Sequence, residues 1–187
     1  MKKIGIYGGT FDPIHHAHLI LGRQACEELG LDRLILVPAL VSPFKRAAYA
    51  SGEARLSMLR AAIEGQDGFA ADDYELKRPP PSYSIDTVLQ IRERETAELF
   101  WLIGADNVSG LSKWHRFDEL KKLVQFVVLD RASSGTKQPY PVIQRNIDIS
   151  ATEIRNRVAS GRSIRYLVPK AVEEIIRREN LYRELGK

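Results

Sequence analysis

Three of the chain's four histidines fall inside one short stretch, "YGGTFDPIHHAHL", as His15, His16 and His18 just after the Gly8-Gly9 pair. Imidazoles at this density can ligate a metal, relay a proton to a nucleophile or donate hydrogen bonds to phosphate, or they can be helix-start residues with no role. A metal would take His15 and His18, three apart on one face, but only Asp12 stands near as a third ligand and no Cys/His/Glu motif follows downstream. A nucleophile relay lacks a Gly-x-Ser-x-Gly elbow, and Cys26 lies in an apolar helical pattern that predicts a buried, inert thiol. Phosphate binding fits best. Gly8 and Gly9 allow backbone to approach a ligand, and the helix that follows offers N–H groups and its positive end to an anion. Yet neither a Gly-x-x-x-x-Gly-Lys-[Ser/Thr] loop nor a Gly-x-Gly-x-x-Gly loop occurs anywhere in the chain.

A second candidate lies near the C-terminus, in "ISATEIRNR". Ser150 followed by Glu153 is a capping-box spacing, so a helix is expected to start there with Ser150 and Thr152 at its mouth and Arg155 one turn on. Residues 145–165 hold five arginines against two acids. Hydroxyls and a guanidinium at a helix N-terminus make a polyphosphate cradle, the alternative being a plain capped surface helix.

The elements that must position these groups alternate along the chain. Solid apolar runs at residues 3–7, 33–38, 99–104 and 124–130 read as buried strands. Helical patterns occupy about 16–29, closed by Gly30, then a stretch with Leu56, Leu59 and Ile63 on one face, then about 84–93, 151–159 and 169–179. This alternation predicts an α/β, Rossmann-like, mostly parallel open sheet with helices on both faces and a small C-terminal helical portion. At 187 residues with no repeat, one domain spanning 1–187 is expected, and residues 131–141 read as its one flexible loop. A 44% apolar and 28% charged composition is globular, and a formal charge of +4 is too mild for a duplex-binding stripe. No apolar run nears the roughly 18 residues of a membrane span, and the N-terminus lacks a signal peptide, so a cytoplasmic protein with no nucleic-acid or membrane partner is expected. In such a sheet the loop after the first strand is a favoured ligand site, and "GGTFDPIHHAH" occupies it.

The two phosphate-like elements together resemble the nucleotidyltransferase superfamily with the His-x-Gly-His motif. "GGTFDPIHHAH" is similar to its first signature, and "ISATEIR" to its Ile-Ser-Ser-Thr-x-x-Arg partner. "SPFK", "PSYSIDTV", "GADNVSGLSKWHRFDEL" and "SIRYLVPKAVEEIIRRENLY" further resemble bacterial nicotinate-nucleotide adenylyltransferases, over nearly the whole chain. The resemblance implies adenylyl transfer from ATP to nicotinate mononucleotide, with pyrophosphate released and magnesium carried in on ATP. It implies His15 and His18 as the catalytic pair and Gly8, Gly9, Thr10, Phe11, Lys45, Ser150, Thr152 and Arg155 on the ATP side, with the helices at about 150–187 completing that side. On the mononucleotide side it implies Ser84 or Thr87 at a helix start, Asp106 and a stacking Trp114, with Trp101 left to the core. Homo-oligomerisation is compatible with it. Two positions depart from the family pattern: Ala17 replaces a glycine, and Ala151 a serine. A sister enzyme acting on nicotinamide mononucleotide or phosphopantetheine, a nucleotide-binding sensor without turnover, and a tRNA-linked role remain as alternatives.

Overall fold

The computed structural model describes residues 1–41, 47–132 and 137–184. Among them, six strands form a single parallel sheet in the order β3-β2-β1-β4-β5-β6. The strands are β1 (Lys3–Gly9), β2 (Arg33–Pro38), β3 (Phe69–Ala71), β4 (Glu98–Gly104), β5 (Gln125–Asp130) and β6 (Val142–Gln144). The helices are α1 (His16–Leu29), α2 (Gly52–Ile63), α3 (Ser84–Arg94), α4 (Phe117–Leu123), α5 (Ala151–Ala159) and α6 (Lys170–Arg178), with 3-10 turns at Tyr74–Lys77 and Ala105–Lys113. The Rossmann-like class expected from the alternation is the one found. The four long apolar runs are the four central strands. The edge strands β3 and β6 went unread because three residues are too few to show a period.

Alternation along the strands explains how both faces are covered. In β2, Leu34 and Leu36 enter one apolar cluster while Ile35 and Val37 enter the other. The first cluster takes Leu21 and Ala25 of α1, Met58 and Leu59 of α2, Ile154 of α5 and Val172 and Ile175 of α6. The second takes Ile85, Val88 and Ile91 of α3 and Leu120 of α4. Each fully buried Leu, Ile or Val contributes about 1.5–3 kcal/mol, so both helix layers are held independently against the sheet. Gly30 ends α1 in the left-handed conformation at φ 62°, as its position predicted. Cys26 is buried, and burial pushes its thiol pKa upward.

One helical face differs from expectation. The buried residues of α2 are Ala54, Arg55, Met58, Leu59 and Ile63, whereas Leu56 is only half-buried. A guanidinium on the inward stripe of α2 breaks the apolar period, and the reason is polar. Arg55 reaches the turn after β1, donating from Nη1 to the Thr10 carbonyl at 2.7 Å and from Nε to the Ala50 carbonyl at 3.2 Å.

The chain winds from β1 outward to β2 and β3, then returns to β4 and winds the other way. The strand order therefore switches direction between β1 and β4, where the two crossover sets diverge and leave a crevice beyond the strands' carboxyl ends. Gly9 and Gly104 are the last residues of those two strands.

Candidate active site

Two adjoining cavities open at this crevice. The larger, about 410 Å³, is lined by the β1 loop (Gly8 to Asp12), His15, His18, Tyr49, Asp106, Arg131 and the start of α5 with Ser150, Ala151, Thr152 and Arg155. The smaller, about 120 Å³, lies between β1, β4 and the start of α3, and is lined by Gly8, Thr10, Glu75, Ser82, Tyr83, Ser84, Asn107, Trp114 and His115 among others. Gly8, Gly9, Thr10, Gly104 and Asn107 border both.

The two histidines differ in kind. His15 is the N-cap of α1 and almost wholly buried, and its ring stacks on His18 with centroids 3.8 Å apart. Burial lowers its pKa to about 3, helped by the nearby Arg131 and His16 charges, so the ring stays neutral. Its Nδ1 is buried without a hydrogen-bond partner. The His15 backbone N–H donates to His18 Nδ1 at 3.3 Å, so a neutral His18 ring carries its proton on Nε2. Phe11 sits edge-on to His18 at 5.1 Å and is itself 2% exposed. Its ring borders the cavity as packing that holds the imidazole, rather than as an exposed ligand surface.

The glycine pair serves packing as well as bordering both cavities. A Cβ on Gly8 would meet the Trp101 ring at 2.9 Å, and one on Gly9 the Phe11 ring at 3.0 Å. Trp101 is core, as expected, and forms a wall of the smaller cavity. The start of α1 is less open to an anion than its sequence implied. The His16 N–H is already taken by the Leu167 carbonyl at 3.0 Å, and the His18 N–H by the His15 carbonyl.

Folding brings the C-terminal element against this loop. The Ser150 hydroxyl caps α5 by accepting from the Glu153 N–H at 3.1 Å, the half of the capping box that its spacing foretold. Arg155 donates from Nη1 to the Asp12 carbonyl at 2.6 Å and from Nη2 to the Thr152 hydroxyl at 3.1 Å, and lies over the Tyr49 ring. Residues 143 positions apart thus become one polar wall. Lys45 lies outside the described residues.

On the other side, Ser84 and Trp114 border the smaller cavity, with Trp114 half-buried and edge-on to Trp101. Thr87 does not reach it. Thr87 is 1% exposed, and its hydroxyl donates to the buried Glu75 carboxyl at 2.6 Å. Asp106 borders the larger cavity rather than the smaller one, held by the Asn107 amide at 3.0 Å. Ala17 is fully buried and borders neither cavity.

Several cavity residues were missed. Tyr83 and His115 stack at 4.3 Å beside Trp114, and both lie within stretches quoted for their resemblance, so adjacency to Ser84 and Trp114 was the available signal. Glu75 is buried, which pushes its carboxyl above the usual range against hydrogen bonds from Thr87 and Ser82. Arg131 follows the last residue of β5 and donates to the Ile149 carbonyl at 2.9 Å. Neither has a spacing signal, since only the fold brings them to the crevice. Among the described residues no three His, Cys, Asp or Glu side chains converge to hold a metal, and no helix is long and apolar enough to cross a membrane.

The cytidylyltransferase-like family model matches residues 6–157. A probable nicotinate-nucleotide adenylyltransferase of Streptococcus pyogenes serotype M1 is 44% identical over 186 residues, covering 97% of this chain and 89% of the relative. One from Geobacillus thermodenitrificans is 41% identical over 187 residues, covering 97% and 87%. Among solved structures, Plasmodium falciparum nicotinic acid mononucleotide adenylyltransferase complexed with NaAD shares the fold with a TM-score of 0.83 at 19% identity, covering both chains fully.

Proposed function

The chain belongs to the cytidylyltransferase-like family and, within it, to the nicotinate-nucleotide adenylyltransferases, and on that premise we propose how its residues join ATP to nicotinate mononucleotide. The observation that carries the assignment of roles is the 2.6 Å bond from Arg155 to the Asp12 carbonyl. It sets the α5 hydroxyls across one cavity from the histidines, with a ring-lined cavity alongside.

The mononucleotide phosphate is largely a dianion near pH 7, so it attacks without a general base. A new bond forms between its oxygen and the α-phosphorus of ATP as the α–β bridging bond breaks. Pyrophosphate leaves with the bond's electron pair, and nicotinate adenine dinucleotide remains. Negative charge builds on the bridging oxygen and on the oxygens of the transferring group, so the protein's task is positioning and charge stabilisation.

ATP arrives as its magnesium complex, the ion held by the substrate's phosphates. Ser150, Thr152 and Arg155 hold the β- and γ-phosphates, and the α5 N-terminus adds its dipole. His18 donates from Nε2 toward the transferring phosphate, fixed by its Nδ1 bond and by Phe11. His15 stays neutral and braces His18 by stacking. Thr10 serves the α-phosphate between the two cavities, where Gly8 and Gly9 complete the floor.

The pyridine ring enters the smaller cavity against Trp114. At the start of α3 the first intrahelical bonds come from the Asp86 and Thr87 N–H groups to the Tyr83 carbonyl. The Ser84 and Ile85 N–H groups precede them and face the open end of the helix, where a carboxylate is favoured. The raised pKa of Glu75 favours its neutral form beside an anionic ring.

The test incubates the protein with MgATP and each mononucleotide and follows pyrophosphate release. Nicotinate mononucleotide is expected to exceed its amide by at least ~10-fold in kcat/KM, since an unmatched buried polar group costs about 1–3 kcal/mol. Parity or amide preference removes the role given to α3. ATP binding without release from any mononucleotide would make the protein a sensor.

A further inference from the structure

Asp12, the residue that Arg155 touches through its carbonyl, has a side chain turned into the protein. It is 4% exposed, and three donors converge on its carboxylate. The Tyr49 N–H lies 2.6 Å from Oδ2, the Ala50 N–H 3.2 Å from Oδ1, and the Tyr182 hydroxyl 2.7 Å from Oδ1. Tyr182 comes 170 positions later, beyond α6, and is itself 6% exposed. It borders neither cavity and so cannot touch substrate.

The same peptide units are held from other directions. Arg55 grips the Thr10 and Ala50 carbonyls, and Arg155 stacks over the Tyr49 ring with its guanidinium carbon 4.6 Å from the centroid. Phe11, between Thr10 and Asp12, holds φ at 47°, and Tyr182 holds φ at 63°, both in the left-handed region that non-glycine residues avoid. Backbone in this region persists where surrounding contacts over-determine it. Here those contacts are made by Arg55 on the Thr10 and Ala50 carbonyls and by the donors that converge on Asp12.

We propose that Tyr182 is a positioning residue for adenylyl transfer: its hydroxyl orients the Asp12 carboxylate, which sets the Thr10–Asp12 turn, Tyr49 and the Asp12 carbonyl that aims Arg155 at the ATP phosphates. This rests on the assignment of the larger cavity to ATP. Burial and the Asp12 charge keep the hydroxyl protonated, so it donates and the carboxylate accepts. Removing the donor leaves Oδ1 only the longer bond from Ala50, and the carboxylate can rotate. The turn and Arg155 then lose registry, while the walls of the smaller cavity supplied by β4, the start of α3 and Trp114 make no contact with Asp12.

Tyr182→Phe keeps the ring and removes the donor. It is measured for ATP affinity by equilibrium dialysis, for nicotinate mononucleotide affinity likewise, and for kcat per folded molecule. ATP binding is expected to weaken by ~10-fold or more, the loss of one hydrogen bond to a charged group. Mononucleotide affinity should stay within about twofold, a split that simple loss of folded protein does not produce. Tyr182→Phe combined with Arg155→Lys should weaken ATP binding by less than the product of the single effects, because both act through Asp12. Unchanged ATP affinity, equal losses for both substrates, or multiplicative single effects would overturn the proposal. If Tyr182→Phe does not fold, Asp12→Asn, which sets an amide NH2 against one of the converging donors, disturbs the same cluster and must show the same split. The wild type run alongside separates the two levels. No pyrophosphate release from it indicts the assigned reaction, whereas the affinity comparison still judges Tyr182.

Discussion

His15 and His18 have matching spacing and opposite environments. One is the buried cap of α1, held neutral, while the other stands half-buried at the cavity with its Nδ1 already an acceptor. In the proposed reaction, His18 rather than His15 donates to the phosphate whose charge grows in the transition state. Removing such a donor typically costs about 2.7–4 kcal/mol. His18→Ala is therefore expected to lower kcat by at least ~100-fold with an unchanged unfolding midpoint, measured by pyrophosphate release and urea titration. A fall below tenfold in a folded variant would leave His18 without a chemical role. The histidine cluster was visible in the sequence, but its division of labour was not, because burial of one ring against another is a three-dimensional property.

The helix α1 shows how an element absorbs a departure from its family's pattern. Ala17 stands where a glycine was expected, and its methyl is fully buried away from both cavities. A methyl that packs into protein favours folding and presents nothing to either cavity. Ala17→Gly is expected to shift the KM for ATP by less than ~3-fold. It should also cost about 1–2 kcal/mol of stability, from the lost buried methyl and glycine's poor helix propensity. Steady-state kinetics with urea unfolding checks both; a large gain in ATP affinity would mean that the methyl presses on the ligand. The same principle explains α3. Ser84 and Thr87 look alike as hydroxyls at a helix start, yet Ser84 borders the smaller cavity while Thr87 is buried against Glu75. α2 is the converse case, in which one buried arginine tied to Thr10 belongs to the stripe that apolar periodicity alone would assign.

At the scale of the whole molecule, the buried His15 links folding to pH. Its pKa is about 3 in the folded chain and near 6.5 when unfolded. Between these values the unfolded chain binds a proton that the folded one refuses, so stability falls as pH drops below 6.5. By pH 5 the loss amounts to about 2 kcal/mol. Glu75 acts in the opposite sense, because its raised carboxyl pKa favours the folded state as pH falls. His15 is isolated by comparison with His15→Asn, a residue favoured at a helix N-cap that does not titrate. Urea unfolding at pH 7.5 and pH 5 should show the wild type losing about 2 kcal/mol more than the variant. Equal losses would mean that the ring is not held neutral.

Solid apolar runs too short for helices and alternating with helical patterns read as strands buried on both faces, so the four central strands and the helices covering them were legible, while the short edge strands β3 and β6 were not. The two motifs that the proposed function places at the phosphates were legible as motifs too, since glycines, imidazoles, a capping serine and an arginine at those spacings are local patterns. Their meeting was not, because strand order decides it. The reversal between β1 and β4 opens the crevice, and the returning C-terminal chain brings Arg155 and Tyr182 onto Asp12 from 143 and 170 positions away. Hydropathy records whether a residue is buried, but not which distant backbone carbonyl or carboxylate it meets there. Tyr182 lies in a stretch quoted for its resemblance, yet its contact was not legible there: a buried tyrosine reads as core until the acceptor of its hydroxyl is known.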